Sequence, residues 1–249
     1  MAERMLKKKH GNLRVTIVRP SIIISCEKEP FLGWTETLSA AGGLTYAVTM
    51  GLLHFVHMTQ KMTVDLVPCD YVSNGILAVT AYTAKGPPAT LNLLHVSSSV
   101  ARPVTMQYYT DTMLEHVKYN PYYKQAFHPY CTPVTDDRLF KFYMQVYEKL
   151  PTKAMQIYSS LPILGSKDMK EKVKMYASVQ AKLEDMQTIF DYFLTQQWIY
   201  ELKMADVIWR SMSPSDQKEF CFDCSQINWK NALEGYSYGI RRFYLREDC

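Results

Sequence analysis

Several signals that would assign a function class at sight are missing from this chain. A spanning helix needs about 20 consecutive apolar residues, and the best candidate, Leu44 to Met58, is shorter and contains His54 and His57. A signal peptide is not visible either, because the apolar run from Val15 to Ile24 is broken by Arg19 and Pro20. There is no Gly-x-Gly-x-x-Gly, no Gly-x-x-x-x-Gly-Lys-Ser/Thr and no Gly-x-Ser-x-Gly, so no phosphate-cradling loop and no nucleophile elbow can be read here. Cysteine is sparse: Cys26, Cys69, Cys131, Cys221, Cys224 and Cys249 are dispersed, with one Cys-x-x-Cys at Cys221 and Cys224. That pattern argues against a secreted disulfide framework and against a zinc site, since no second pair or nearby His completes a ligand set. Charge of one sign is also scarce. With 28 basic and 24 acidic residues the net charge is +4, too small and too scattered for a nucleic-acid partner, and Lys7-Lys8-Lys9-His10 reads as a solvated helix end.

What is present is a globular composition of 249 residues, 47% hydrophobic, enough for one large or two smaller domains. Eighteen Tyr and 14 Met suit irregular apolar space, in an apolar tunnel or in a loosely packed helical core alike.

The hydrophobic pattern predicts a helix over residues 1–9, stopped by His10-Gly11-Asn12, then a strand from Leu13 to Val18 ended by Arg19-Pro20. A loop from Glu27 to Gly43 leads to an apolar helix or buried run from Leu44 to Val56. Strands follow at Thr63 to Val67 and Leu91 to Val96, separated by a helix from Tyr71 to about Tyr82 that Asp70 would N-cap. Alternating strands and helices predict an α/β layer, and a strand apolar on both faces predicts a parallel sheet. Near Asn120 to Pro133 the character changes, and Tyr176, Val179, Leu183, Met186, Phe190 and Phe193 form a sustained helical stripe. The expected fold is therefore α/β followed by all-α, with a domain boundary near residue 130: residues 1–130 and 131–249.

Val18-Arg19-Pro20-Ser21 stands where a strand ends. The carboxyl ends of strands are where open α/β sheets bind ligands, and a proline that simply terminates the strand would look the same. Glu29-Pro30-Phe31-Leu32-Gly33-Trp34 reads as a sharp loop presenting a large aromatic, as a hydrophobic lip or as a packed loop. Asp70 is expected to be a structural cap and not an acid. His54 and His57 are expected on one helix face in a core or interface role, Asp136-Asp137 at a helix start, and Ser213-Pro214 at another.

In their order along the chain these motifs resemble the fatty acyl-coenzyme A reductase family. The resemblance is carried by Met1-Ala-Glu3, Val18-Arg-Pro-Ser-Ile22, Glu29-Pro-x-x-Gly-Trp34 and Val67-Pro-x-Asp70-x-Val-x-Asn74. Tyr192-Phe193, Gln197-Trp198, Phe220-x-Phe-Asp223, Ile227-Asn-Trp229 and Gly239-Ile-Arg-Arg-Phe243 continue it. It covers essentially the whole chain and implies a partial Rossmann-like parallel sheet, the back part of an extended short-chain dehydrogenase domain, followed by the helical "sterile" domain. The activity implied is reduction of a long-chain acyl-CoA to a primary alcohol with NADPH. Arg19, Pro20 and Ser21 are then expected to border the cofactor, and Ile22, Glu29, Pro30, Gly33 and Trp34 the acyl substrate. Relatives carry a Gly-rich turn and a Tyr-x-x-x-Lys acid ahead of the Ala-Glu block. The chain is therefore expected to be an N-terminally truncated form, inactive by itself, with an open strand edge that makes residues 1–249 insoluble or molten while residues from about 131 onward behave better. The alternative is a non-catalytic acyl-chain-binding or dimerisation module paired with a full-length reductase, or a homo-oligomer. The family is often peroxisomal, plastid or reticulum-associated, and the resemblance selects none of these.

Overall fold

The computed structural model describes residues 1–38, 41–160 and 167–247; Cys249 lies outside them. In chain order the first elements are helix α1 (Ala2–Lys9), strands β1 (Val15–Pro20) and β2 (Ile22–Ile24), helix α2 (Ala41–Thr49), and strands β3 (Phe55–His57), β4 (Thr63–Val64) and β5 (Leu66–Pro68). Helix α3 (Cys69–Lys85), strands β6 (Leu91–Val96) and β7 (Val104–Thr105), helix α4 (Met106–Tyr119) and strand β8 (Thr132–Val134) follow. From there the chain is helical. Helix α5 (Asp137–Tyr143) runs through a π-helical stretch, Met144–Lys149, into α6 (Leu150–Ser160), and α7 (Lys167–Thr195), α8 (Lys203–Ser211), α9 (Pro214–Glu219) and α10 (Trp229–Gly239) complete the order. An α/β region thus precedes a helical one, as the pattern predicts.

Strand β1 pairs in parallel with β6, from Val15 opposite Leu91 to Pro20 opposite Val96. The strand does not end before Arg19-Pro20 as expected. Pro20 has no N–H to give, but it occupies the last position, and the backbone N–H of Ser21 continues the ladder to Val96 O at 3.0 Å. Strand β2 pairs in parallel with β5, β3 with β8, and β4 antiparallel with β7, so the described strands form four two-stranded pieces in place of one continuous layer. The far edge of β1 has no strand partner among the described residues. Leu13, just ahead of β1 in the chain, is exposed, as are Met5 and Leu6 of α1.

Two expected elements are divided. The apolar run Leu44 to Val56 is helix only to Thr49. Gly51 then turns at φ +70°, pressed against the backbone of Phe127, and the chain leaves as β3. His54 and His57 are therefore not on a helix face. Strand β3 carries them to the helical region, where His54 Nδ1 lies 3.5 Å from Glu148 Oε1 and His57 Nδ1 lies 2.5 Å from Asp191 Oδ1. The interface role stands, on carboxylates that sequence neighbours do not supply. Likewise Thr63 to Val67 is two strands, β4 and β5, in different pieces of sheet, separated at Asp65.

The helix starts at Ser213 and Asp136 hold. Ser213 Oγ accepts from Asp216 N at 3.2 Å and Asp136 Oδ1 from Leu139 N at 2.8 Å. In α7, Leu183, Met186 and Phe190 pack on the core, but Leu194 takes the buried place expected of Phe193, which is exposed. The core is continuous across both regions. Leu66, Val67, Tyr71 and Leu94 share it with Ile208, Ile227, Leu233, Tyr236 and Ile240. Many of the methionines, including Met50, Met58, Met62, Met106 and Met113, are spent in this core.

Candidate functional site

Asp70 organises the base of the loop that carries Glu29 to Trp34. It sits in the first turn of α3, buried, but it does not cap that helix as expected. Its carboxylate faces sideways and accepts from three backbone N–H groups of the incoming loop: Glu27 N at 3.1 Å, Lys28 N at 2.9 Å and Glu29 N at 3.3 Å. One buried anion therefore holds the base of the Glu29 to Trp34 loop against the helix. The loop closes on itself through Gly33 N to Cys26 O (2.8 Å) and Cys26 N to Trp34 O (3.2 Å). Glu27, also buried, extends the tether: its Oε1 accepts from Asn228 N at 2.8 Å, just ahead of α10. Asn74, one turn along α3, donates from Nδ2 to Cys221 O at 3.1 Å.

Gly33 is the point at which this loop touches the helical region. Its φ is +77°, and a Cβ there would lie 2.0 Å from Gly235 O; a Cβ on Gly239 would lie 1.6 Å from Gly33 O. Three glycines thus let a loop backbone and a helix backbone meet directly. Gly33 itself is buried in that contact, whereas Glu29, Pro30 and Phe31 stand exposed at the tip and Trp34 is half-buried. Trp229 anchors the same helix from the other side, donating from Nε1 to Arg102 O at 2.8 Å.

At the exit of β1, Arg19 is exposed and forms a bidentate pair with Glu3 of α1. The guanidinium holds the Glu3 carboxyl below the usual range. Pro20 is exposed, Ile22 packs on the core, and Ser21 Oγ is buried with no hydrogen-bond partner. Next to Ser21 lies a network that sequence reading missed. Asp65 O accepts from Ile22 N, and the buried Asp65 carboxylate accepts from Ser97 Oγ (2.5 Å), Ser98 N (2.9 Å) and Ser98 Oγ (3.2 Å). The run Ser97-Ser98-Ser99 directly after a strand was the available signal.

Lys28 Nζ donates to the Tyr71 hydroxyl at 3.4 Å, a lysine–tyrosine pair that invites comparison with a proton-donating site. Burial and the adjacent Glu27 carboxylate, however, drive the Tyr71 phenol strongly upward. A donor of that kind needs the opposite shift, so the pair is structural.

The residues described here do not fit the pyrophosphate part of a dinucleotide. That fit requires a glycine-cushioned strand-to-helix turn. The turn from β5 into α3 instead presents Cys69 and the Asp70 carboxylate, and β1 leads into β2 without a helix. A cavity of about 400 Å³ opens beyond the end of β6, lined by His95, Ser97, Asp206, Trp209, Arg210 and Cys224 among others. A more apolar groove of about 710 Å³ runs between α3, α8 and α9 past Leu77, Tyr82, Ile208, Met212 and Phe220. Neither is lined by the Arg19 to Ile22 or Glu29 to Trp34 stretches. No described helix is long and apolar enough to cross a membrane.

The α/β region and the helical region match different family models. An NAD-binding family model described as male sterility protein matches residues 1–76. The Sterile model, with the same description, matches residues 147–247. Along all of its length the chain is similar to fatty acyl-CoA reductase 2 of Mus musculus and of Bos taurus, each 27% identical over 248 residues, and to fatty acyl-CoA reductase 1 of Xenopus laevis, 25% identical over 249 residues. Both models carry the description male sterility protein, and the similarity along the whole chain is to fatty acyl-CoA reductases. It spans about half, 47%, of the length of these relatives. The match to an NAD-binding model supports a nicotinamide cofactor for the family.

Proposed function

We propose that this chain forms the acyl-facing portion of a fatty acyl-CoA reductase whose complete reaction takes a long-chain acyl thioester to a primary alcohol with NADPH. The observation that carries the reading is the match along the entire chain to relatives named as fatty acyl-CoA reductases. The tethered loop supports it, because an exposed, partly aromatic tip is fixed from two sides. A reduced nicotinamide would supply the hydride equivalents for such a reduction. The chain's own residues serve to bind and orient. Arg19 and Pro20 form the exposed rim at the end of β1, and Ser21 Oγ is a polar group with an unmet hydrogen bond for whatever lies against it. Ile22, Glu29, Pro30 and Trp34 form the acyl side, with Gly33 docking the loop that carries them. A purely non-catalytic acyl-binding or dimerising module has no observation in its favour beyond these same surfaces.

Calorimetric titration with palmitoyl-CoA tests the reading, with free CoA and NADPH as separate titrants. Saturable palmitoyl-CoA binding, weakened by Trp34→Ala and stronger than binding of free CoA, is the expected result. Equal affinity for palmitoyl-CoA and free CoA, or binding indifferent to Trp34, would remove the loop from the substrate wall.

A further inference from the structure

The base of the tethered loop also carries two thiols that the reductase chemistry does not use. Strands β2 and β5 run parallel with Ile24 opposite Pro68, so Cys26 and Cys69 leave neighbouring strands one residue out of step. Paired strands lie about 4.8 Å apart, within the Cα span of a disulfide, and both cysteines follow closely on this pair. The hydrogen bond from Glu27 N to Asp70 Oδ1, between the residues that follow each cysteine, holds the two backbones together. Each thiol is the largest single influence on the titration of the other. Both are free, Cys69 partly open to solvent and Cys26 2% exposed behind it.

We propose that Cys26 and Cys69 form an oxidisable dithiol, in which Cys69 meets a peroxide and Cys26 resolves the product into a disulfide across the base of the loop. The Cys69 thiolate attacks one peroxide oxygen; the O–O bond breaks and the other oxygen leaves as hydroxide, which is protonated to water. The Cys26 sulfur then gives up its proton and attacks the Cys69 sulfenic acid. An S–S bond forms, the S–O bond breaks and a second water departs. The two thiols are oxidised by two electrons and hydrogen peroxide is reduced to two waters.

The electrostatics point the same way. The neighbouring Cys26 thiol lowers the Cys69 thiol to about 6, helped by Ser73 and opposed by burial and by Asp70, while Cys26 is pushed up. Burial pushes Cys131 and Cys224 up to about 12, and Cys221 upward as well. Among the five described cysteines Cys69 is the one poised as a thiolate at neutral pH, the form that reacts.

The test treats the reduced 249-residue chain with hydrogen peroxide, blocks remaining thiols with N-ethylmaleimide under denaturing conditions, and maps the tryptic peptides without reduction. The expected product joins Val15–Lys28 to Met62–Lys85, the peptides containing Cys26 and Cys69. In Cys26→Ser the reaction should stop at a Cys69 sulfenic acid captured by dimedone, and in Cys69→Ser the cross-link should be lost. The proposal is overturned if Cys221, Cys131 or Cys224 is oxidised before Cys69. It is equally overturned if wild-type Cys69 accumulates as the dimedone adduct without linkage to Cys26. The wild-type peptide map decides the matter even if a serine variant folds poorly.

Discussion

Asp70 shows how much a single side chain can do when its partners come from elsewhere in the sequence. A carboxylate at a helix start is ordinarily read as a cap, because unpaired N–H groups of the same helix lie closest. Here the three donors belong to Glu27, Lys28 and Glu29, more than forty residues away along the chain. Hydrogen bonds to a buried charge are stronger than neutral ones, and their loss leaves donors without partners. Asp70→Ala should therefore destabilise the protein by about 3 kcal/mol, with Asp70→Asn intermediate because it keeps one acceptor oxygen. Urea unfolding measures both; a loss below about 1 kcal/mol for the alanine variant would mean that the tether is dispensable. The same logic separates Lys28–Tyr71 from a proton-donating pair: the two groups touch, but burial beside Glu27 sets the wrong direction of shift.

At the scale of elements, the loop from Glu27 to Trp34 and helix α10 behave as one assembly. The contact of Gly33 with Gly235 and Gly239 admits no Cβ on Gly33 or Gly239 without displacing backbone. A side chain at φ +77° adds strain of its own. Gly33→Ala should cost about 2–3 kcal/mol and free the loop, which limited trypsin digestion would report as faster cleavage after Lys28. Unchanged cleavage would show that α10 is not what holds the loop. The existence of β1, β6, α3, α7 and the starts of α5 and α9 was legible in the sequence, since periodicity, β-branched runs and Ser/Asp caps are local signals. The division of Leu44 to Val56 and of Thr63 to Val67 was not. Gly51 turns where it does because Phe127 presses against it, and Asp65 separates β4 from β5 because its carboxylate is engaged by Ser97 and Ser98.

For the whole molecule the important fact is a shared core. Composition changes near Asn120 to Pro133, and we propose that this boundary separates kinds of element and not independently folding units. Ile208, Leu233, Tyr236 and Ile240 are at most 2% exposed in a cluster that also contains Ile24, Val67 and Leu94. Residues 131–249 alone would expose that surface, contrary to the expectation from sequence that they behave better by themselves. The fragment should be collapsed and dye-binding without a cooperative thermal transition, and mixing with residues 1–130 should restore one. A sharp, reversible melt of the fragment alone would restore the two-unit view. The open edge of β1 and the exposed apolar residues Met5, Leu6 and Leu13 are where association of this chain is expected.

By itself the sequence determined the order of the main elements and the resemblance to fatty acyl-CoA reductases, because each is written in local pattern or in motif order. Only the tertiary structure decided which distant residues touch: that Asp70 grips a loop and not its own helix, that Gly33 is a joint between backbones, and that Cys26 and Cys69 are neighbours. Hydrogen bonds and close packing between distant residues depend on three-dimensional position, and no local pattern in the chain encodes it.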